Sequence, residues 1–300
     1  MTPLTWLWIP FTIAACGTQT LRNAMQSSLT SSLGTLGATQ IRFMFAIPFS
    51  LIFLPVVLLV SGDHLSWQQI APSFWLWVLM GGMLQMVATA LMLAAMSRRS
   101  FVVTIAYLKT EAMQTALFGF VFLGDHLYPL NVIGILIATV GVLITALRPG
   151  VRGFGDLGSI ALGLLSGTCF ALSSIGYRGA LLSLSDVSFV TASSLTLAII
   201  LPLQTAVLSA WLIIRSPGTM TAIFREWRPS MLAGFLGAVA SLFWYFAFAL
   251  MAAGNVRTLA LVEVLFAQGV AYYSMKQPIL PRELLGIVLI VVGVGVLIVS

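Results

Sequence analysis

The sequence predicts an all-α integral membrane protein with ten transmembrane helices, arranged as two inverted five-helix repeats. Three observations support this fold class: the composition, the number of apolar segments and an internal duplication. Of the 300 residues, 60% are hydrophobic and only 7% are charged, and the mean hydropathy is +1.06. A soluble domain of this length could not bury so much apolar surface, so the composition indicates a membrane protein.

Ten apolar segments have the length of transmembrane helices, because crossing the hydrocarbon core takes about 20 apolar residues. Short links that carry charged, proline or glycine residues separate them. The first segment has neither a basic leader nor a small-residue cleavage site, so we expect a retained helix and not a signal peptide. The ten segments are residues 4–21, 33–60, 73–96, 101–123, 129–147, 157–177, 188–214, 230–252, 256–275 and 282–299.

The two halves of the chain repeat one another. Residues 104–147 correspond to residues 256–299 at a constant offset of 152. We therefore predict two domains, residues 1–150 and residues 151–300, each a repeat of five helices. An odd number of crossings gives the second repeat the opposite orientation in the bilayer, which is typical of secondary transporters. The matched pairs are Glu111 with Glu263, Gly134 with Gly286, and Gly141 with Gly293.

Basic residues predict the orientation, because short cytoplasmic loops are enriched in Lys and Arg. When the ten segments are counted along the chain, the links that follow even-numbered segments lie on one side of the membrane. Two basic residues, Arg178 and Arg257, fall on that side. The larger basic group on the odd-numbered side predicts that both termini lie outside the cytoplasm, and we expect the bacterial inner (cytoplasmic) membrane as the location. The odd-numbered loops hold Arg22, Arg98, Arg99, Arg148, Arg152, Arg215, Arg225, Arg228, Lys276 and Arg282.

Charged residues inside the apolar segments are the candidate functional residues. A charge at the bilayer centre costs at least about 2.5–3.5 kcal/mol and is tolerated mainly beside a partner or a water-filled cavity. Lys109 and Glu111 are two residues apart, so they point about 200° apart on a helix and cannot simply neutralise each other. The five candidates are Arg42, Lys109, Glu111, Arg257 and Glu263.

Each candidate charge has two open interpretations. Glu111 and Glu263 either exchange protons and contact substrate, as carboxylates in a low dielectric can, or form static ion pairs between helices. Lys109 either holds an anionic substrate group or pairs with Glu263. Arg42 and Arg257 either face a cavity or extend to the membrane interface.

Polar and aromatic residues within the segments are candidates for lining a cavity together with Arg42 and Arg257. Hydrogen bonding between helices is the alternative role for each of them. They are Gln19, Gln85, Tyr107, Gln114, Ser174, Tyr177, Trp244, Tyr245 and Gln268.

Local motifs carry a resemblance to a known family. Residues 122–125 (Phe-Leu-Gly-Asp) are followed by Gly134 and Gly141, and residues 284–287 with Gly293 repeat the second part of this pattern. On these residues the chain resembles the ten-helix, EamA-type members of the drug/metabolite transporter superfamily. The resemblance implies two inverted five-helix halves around a central cavity, and export or exchange of small metabolites by alternating access. Asp125 is a departure, since family members usually have Glu there.

The sequence therefore predicts a secondary active transporter that exports small polar or zwitterionic metabolites, such as amino acids. Glu111 and Glu263 are expected to couple transport to protons, with Lys109 beside them. One alternative is a proton-independent exchanger of anionic, phosphorylated metabolites, for which Lys109, Arg42 and Arg257 would be the anchors. Another is a structural membrane subunit with a degenerate transporter fold.

No pattern in the sequence indicates an enzyme. His64 and His126 lie in links between segments, and no zinc-protease motif, intramembrane aspartate pair or metal-ligand cluster occurs. We expect no enzymatic activity, no cofactor, no metal and no nucleic acid partner. The expected partners are a small-molecule substrate, protons and membrane lipid.

Overall fold

The structure is a computed structural model that describes residues 5–63, 65, 70–98, 108–146, 157–266 and 280–299. Over these residues the chain is helical and contains no strand. The length and composition of five segments suit them to cross a membrane, and two shorter apolar helices cover Glu111–Leu123 and Pro129–Thr145. The predicted all-α membrane class is confirmed, while the number of crossings and the inverted repeat stay predictions. The five long segments are Leu36–Ser61, Pro72–Met92, Phe189–Arg215, Trp227–Leu250 and Pro281–Val299.

The helices follow one another along the chain with short connections. Pro72, Pro129, Pro217 and Pro281 each begin a helix, as expected for a residue that lacks the backbone N–H which the first helical turn leaves unpaired. A single turn of 3₁₀-helix covers Thr5–Leu7 and precedes α1. The α-helices are α1 Trp8–Met44, α2 Ile47–Ser61, α3 Pro72–Arg98, α4 Glu111–Phe118, α5 Pro129–Ala146, α6 Leu157–Leu182, α7 Phe189–Arg215, α8 Pro217–Arg225, α9 Trp227–Leu250, α10 Ala253–Leu259 and α11 Pro281–Val299.

The first helix corrects the sequence prediction. The first helical part of α1 does not end near residue 21 but continues to Gly34, whose φ of 66° lies in the left-handed region that glycine adopts at little cost. A second helical part follows this break and ends at Met44. Arg22, predicted in a loop, is therefore helical and only 4% exposed. Arg178, also predicted in a loop, lies inside α6. Neither residue can be counted among the loop charges, so the orientation of the termini stays a prediction.

Glycines allow α5 and α11 to pack backbone against backbone. A Cβ added at Gly134 would lie 2.7 Å from the carbonyl oxygen of Gly293, and one added at Gly141 would lie 2.7 Å from that of Gly286. These distances are too short for any side chain, so the helices approach as closely as the backbone permits. Small residues support such packing where apolar side chains gain little by leaving lipid.

Asp63, in the link after α2, fixes the start of α7. Its Oδ2 accepts hydrogen bonds from the hydroxyl of Thr191 at 2.6 Å and from the hydroxyl and backbone N–H of Ser188 at 2.7 Å and 3.1 Å. Bonds to Thr191 and Ser188 favour the charged carboxylate, so they lower the pKa of Asp63 to about 2. The carboxylate also lies at the positive end of the α7 dipole, which favours it further.

The glycine contact between α5 and α11 predicts different effects for two alanine substitutions on one helix. Gly293→Ala places a Cβ 2.5 Å from the backbone nitrogen of Ala138, so we expect a loss of about 1–3 kcal/mol in stability. Gly295→Ala is the matched control, because a Cβ there meets nothing within 4 Å. Thermal unfolding in detergent should show a lower midpoint for Gly293→Ala alone, and equal midpoints for the two variants would contradict the contact.

The Asp63 bonds predict a pH dependence of stability. Because the pKa is lowered from its ordinary value of 3.8 to about 2, this contribution is present above about pH 4 and is lost as the pH falls toward 2. Asp63→Asn should lower the unfolding midpoint at pH 7, and the difference from the parent protein should shrink over that window. The exposed Asp186 lies in the link before α7, so Asp186→Asn serves as a control that should leave both the midpoint and its pH profile unchanged.

Candidate functional site

A cavity of about 440 Å³ lies between α1, α3, α4, α6, α9 and α10. Its volume falls within the range of roughly 300–1,000 Å³ that small-molecule sites occupy. The lining mixes aromatic and apolar side chains with an unusual number of charges for a membrane interior. Its polar and aromatic members are Gln19, Arg22, Asn23, Gln26, Thr39, Arg42, Gln85, Thr89, Lys109, Glu111, Phe170, Tyr177, Ser241, Trp244, Tyr245, Phe248, Arg257 and Glu263.

Lys109 and Glu263 form an ion pair at the cavity wall. The Nζ of Lys109 donates to the Oε2 of Glu263 at 3.3 Å, and each side chain is 21% exposed. Of the two interpretations of Lys109, the structure shows the pairing with Glu263. The pair joins a residue of the first predicted half to a residue of the second.

Glu111 and Arg257 form a second pair across the same cavity. The Arg257 Nε lies 3.1 Å from the Glu111 Oε1, but its N–H is directed to the hydroxyl of Ser174, at 2.9 Å. The Glu111 Oε1 is buried and accepts no hydrogen bond from the described residues. The contact is thus an attraction between charges that lacks the added strength of a hydrogen bond.

Both helices that carry these carboxylates are irregular at the site. A turn at Lys109 and Thr110 precedes Glu111, the first residue of α4, and a 3₁₀ turn at Ala260–Val262 precedes Glu263. At the offset of 152 these interruptions fall at equivalent positions. Interrupted helices at a cavity free backbone groups and are common at transporter binding sites. α4 passes into a π-helix at Gly119–Leu123, a further irregularity of the kind found near functional sites.

Two aromatic rings also contact Arg257. Its guanidinium carbon lies 4.8 Å from the ring centroid of Trp244 and 5.4 Å from that of Phe248, within the range of cation–π attraction. The Trp244 indole N–H donates to the Gln19 side chain at 3.2 Å. Trp244 therefore connects α9 to α1 and to Arg257.

A hydrogen-bonded network forms another part of the wall. The Tyr177 hydroxyl and the Gln204 amide both donate to the Gln85 Oε1, at 2.9 Å and 2.8 Å. The Tyr177 ring packs on Tyr245 with centroids 4.8 Å apart. These contacts satisfy the polar atoms of Gln85 and Tyr177 within the protein and connect α3, α6, α7 and α9.

Two arginines of the lining have no carboxylate partner among the described residues. Arg22 donates through Nε and Nη2 only to its neighbour Asn23, at 3.3 Å and 2.8 Å, and its Nη1 is buried without a partner. Arg42 lies on the same helix beyond the break at Gly34, and its guanidinium carbon is 5.4 Å from the Phe43 ring centroid. Both arginines are part of the cavity lining.

The structure brings most of the sequence-predicted residues to this cavity. Gln114 and Ser174 are outside its lining: Gln114 accepts from the Thr168 hydroxyl at 2.7 Å, and Ser174 accepts from Arg257. Tyr107 and Gln268 lie outside the described residues. The function of each residue in transport stays a prediction. The predicted residues that line the cavity are Gln19, Arg42, Gln85, Lys109, Glu111, Tyr177, Trp244, Tyr245, Arg257 and Glu263.

Sequence reasoning missed Arg22 because it ended the first helix one residue earlier. A signal was present, since Gln19, Arg22, Asn23 and Gln26 are spaced at i, i+3, i+4 and i+7, the spacing of one helical face. All four line the cavity. Polarity on one face of a membrane helix indicates a cavity beside it, not the end of the helix.

A third ion pair lies near the cavity but serves the fold. The Nη2 of Arg178 donates to the Oδ1 of Asp125 at 2.9 Å, and the Nη1 donates to the carbonyl oxygens of Phe248 and Met251 at the end of α9. Arg178 therefore satisfies carbonyls that the helix end leaves unpaired. Asp125, the residue that departs from the usual family Glu, is the carboxylate of this pair.

The described helices include five that are long and apolar enough to span a membrane, and a charged cavity lies among the helices. Residues 157–299 match the model of the EamA-like transporter family, which belongs to the drug/metabolite transporter superfamily. The resemblance predicted from the sequence is thus confirmed, and the chain is an integral membrane protein.

The fold of the whole chain is similar to the folds of solved structures. Among solved structures, 28 chains match, and one, titled "Crystal structure of protein", has a TM-score of 0.71 at 15% identity. The match covers 96% of this chain and 98% of that chain. At this identity the likeness shows the fold alone. No curated protein matches the sequence.

The Lys109–Glu263 pair predicts a rescue by double substitution. Lys109→Met leaves the Glu263 carboxylate without a partner, so it should lower stability, by less than the roughly 3–5 kcal/mol seen for fully buried pairs because both side chains border the cavity. Glu263→Gln in the same chain removes the stranded charge and should restore most of the unfolding midpoint in detergent. A double variant no more stable than Lys109→Met would show that the pair does not hold the structure in this way.

Proposed function

We propose that the protein is a proton-coupled secondary active transporter that moves small polar or zwitterionic metabolites, such as amino acids, through the cavity, with export as the direction. The observation that carries the proposal is the pair of reciprocal ion contacts, Lys109 with Glu263 and Glu111 with Arg257. Each contact joins the half of the chain before residue 150 to the half after it. Alternating access requires contacts of this kind, which form in one state of the cavity and separate in another.

The arrangement of the two halves is part of the proposal. If the two halves are inverted repeats related by a two-fold axis, a contact between them should occur twice. In the second contact, each residue is replaced by its counterpart in the other half. Gly134 meets Gly293 and Gly141 meets Gly286, and Gly134 is the counterpart of Gly286, as Gly141 is of Gly293. The interruptions before Glu111 and Glu263 add a second feature that is equivalent in the two halves.

Glu111 is the proposed proton-coupling residue, because its contact is the weaker of the two. Its Oε1 faces the Arg257 Nε at 3.1 Å without accepting a hydrogen bond. Protonation would remove the attraction between the charges, while Arg257 would keep its hydrogen bond to Ser174 and its aromatic contacts. The two halves could then separate at this point without exposing an arginine that lacks every partner. Glu263, which accepts from Lys109, is proposed as the second carboxylate of the coupling.

The lining suits a zwitterionic substrate. Carboxylates of Glu111 and Glu263 can attract a substrate ammonium group, and the faces of Trp244 and Tyr245 can attract it by cation–π contact. Cationic side chains in the same cavity can bind a substrate carboxylate. A solute that carries both charges would lose less by leaving water than one with a single uncompensated charge.

A second candidate is exchange of anionic, phosphorylated metabolites without protons. It is favoured by the charge of the lining, which holds the cations Arg22, Arg42, Lys109 and Arg257 against two carboxylates. The ion pairs occupy Lys109 and Arg257, so the anchors expected from the sequence are only partly available for an anion. No observation favours a structural subunit, which has no need of a charged cavity of this volume.

The carboxylate mechanism predicts the loss of coupling in Glu111→Gln and in the Glu111→Gln, Glu263→Gln double variant. In proteoliposomes with an internal pH dye, amino acids added to the parent protein should move protons, and this signal should vanish in the double variant. The variant protein should be less stable but still folded, because Gln keeps the size of the side chain and the unpaired Lys109 and Arg257 both border the cavity. Labelled substrate should continue to exchange, since exchange does not require net proton movement.

A matched control tests whether any lost carboxylate would have the same effect. Glu226 follows α8 outside the cavity, so Glu226→Gln should leave the proton signal intact. Undiminished proton movement in the double variant would overturn the carboxylate mechanism. Solute exchange without proton movement in the parent protein would instead favour the anion exchanger.

A further inference from the structure

We infer that Arg22 and Arg42 form an anion-binding subsite that holds the carboxylate or phosphate group of the transported solute. The inference rests on the proposed function, because it assigns a substrate group to the same cavity. It differs from the expectation drawn from the sequence, in which Lys109 and Arg257 were the anion anchors with Arg42. The ion pairs engage those two residues, which leaves the two arginines of α1 for the solute.

Arg22 has the environment of a binding residue and not of a surface charge. It is 4% exposed, yet its Nη1 has no hydrogen-bond partner among the described residues, and its other two nitrogens share the single amide oxygen of Asn23. A guanidinium N–H buried without a partner is costly, because it has lost its water without gaining a bond. Arg22 is part of the cavity lining, so a small rotation of its side chain would bring this donor to a bound group.

Arg42 comes to the same place from beyond the helix break. A Cβ added at Gly237 of α9 would lie 3.4 Å from the Arg22 Cδ and 3.8 Å from the Arg42 Cγ, so both side chains pass over the same glycine. The turn at Gly34 makes this possible, because it redirects α1 and lets two residues 20 positions apart in one helix converge. No hydrogen bond or ion pair to a described residue holds the Arg42 guanidinium, which borders the cavity.

The charges nearby favour an anion between the two arginines. Arg22 and Arg42 carry like charges, and both side chains pass Gly237 at close range, so they repel each other. The six charged side chains of the described lining carry four positive and two negative charges, a surplus of two positive charges. An anionic group would relieve the repulsion and use the free donors, and the planar guanidinium fork fits both carboxylate and phosphate oxygens.

The assignment also accounts for the position of the carboxylates. A solute whose anionic group lies at Arg22 and Arg42 extends toward Glu111 and Glu263, which line the same cavity. An amino acid would then have its ammonium group near the carboxylates, whereas a phosphorylated solute would place a neutral part there. A carboxylate and a phosphate would bind the two arginines through the same contacts. The two kinds of solute differ in the group that lies near Glu111 and Glu263.

The test compares solutes that differ only in the anionic group. Purified full-length protein in detergent is titrated with L-leucine against L-leucinamide, and with glucose 6-phosphate against glucose, and binding is read as a rise in the unfolding midpoint. In at least one pair, the solute that carries the anionic group should bind, and the solute that lacks this group should not. Leucine binding would identify a carboxylate site, and glucose 6-phosphate binding a phosphate site.

Variants connect this recognition to the two arginines. Arg42→Gln and Arg22→Gln should each weaken binding of the anionic member by about tenfold or more, as expected when one side of a charge-assisted contact is removed. Arg42→Lys should recover part of the affinity, because the charge remains. Arg42 is partly exposed, so its variants should fold even if Arg22→Gln does not. Arg215→Gln is the matched control, since Arg215 lies at the exposed end of α7 on Trp211 and outside the cavity.

The outcomes separate the subsite from transport itself. Equal binding within both pairs, no binding of any member, or unchanged affinity in Arg42→Gln would overturn the anion subsite. If labelled leucine crosses proteoliposomes while leucinamide binds equally well, transport stands and the subsite is wrong. If the anionic solute binds through the arginines but does not cross the membrane, the subsite stands and the proposed transport is wrong.

Discussion

The cost of keeping charge away from water is the constraint on which this structure depends. Lys109, Glu111, Arg257 and Glu263 lie in apolar segments where an isolated charge would be strongly unfavourable. Pairing each base with an acid from the other half of the chain reduces that cost and draws helices α4 and α10 together. The same solution leaves both pairs at the edge of a cavity, where water or solute can replace a partner. The contacts that stabilise the interior are therefore also the contacts that a transported ion or solute can alter.

Close helix packing makes the charged cavity possible. The glycine contact between α5 and α11 brings two backbones together away from the cavity, and Gly237 on α9 leaves space for the arginines of α1. Trp244 and Phe248 lie on one face of α9, one turn apart, and both contact Arg257. Small residues thus tighten the helix pairs on the outside, while large aromatic and charged residues fill the centre.

Much of this organisation could be predicted from residue order. Apolar length located the long helices that the structure describes, except for the end of the first. The ionisable residues inside the apolar segments pointed to the cavity, because the physics of the bilayer leaves few other reasons for such residues. The pairing of Lys109 with Glu263 was one of two open interpretations, and residue spacing could not choose between them, because the partner lies 154 positions away. Arg22 was missed because its polar side chain was interpreted as the end of an apolar segment. In the structure the helix continues, and Arg22 belongs to a polar face of that helix.

The sequence alone determined the class of fold, since period and composition act locally and a run of apolar residues is helical in a membrane whatever its neighbours are. It also determined which residues are expensive to bury, because that cost belongs to the side chain. Only the tertiary structure decided which acid meets which base, and that two arginines on either side of the break at Gly34 converge over Gly237. Those outcomes depend on the angle at one glycine and on the crossing of helices far apart in the chain, and small differences in such angles move a charged group by several ångströms.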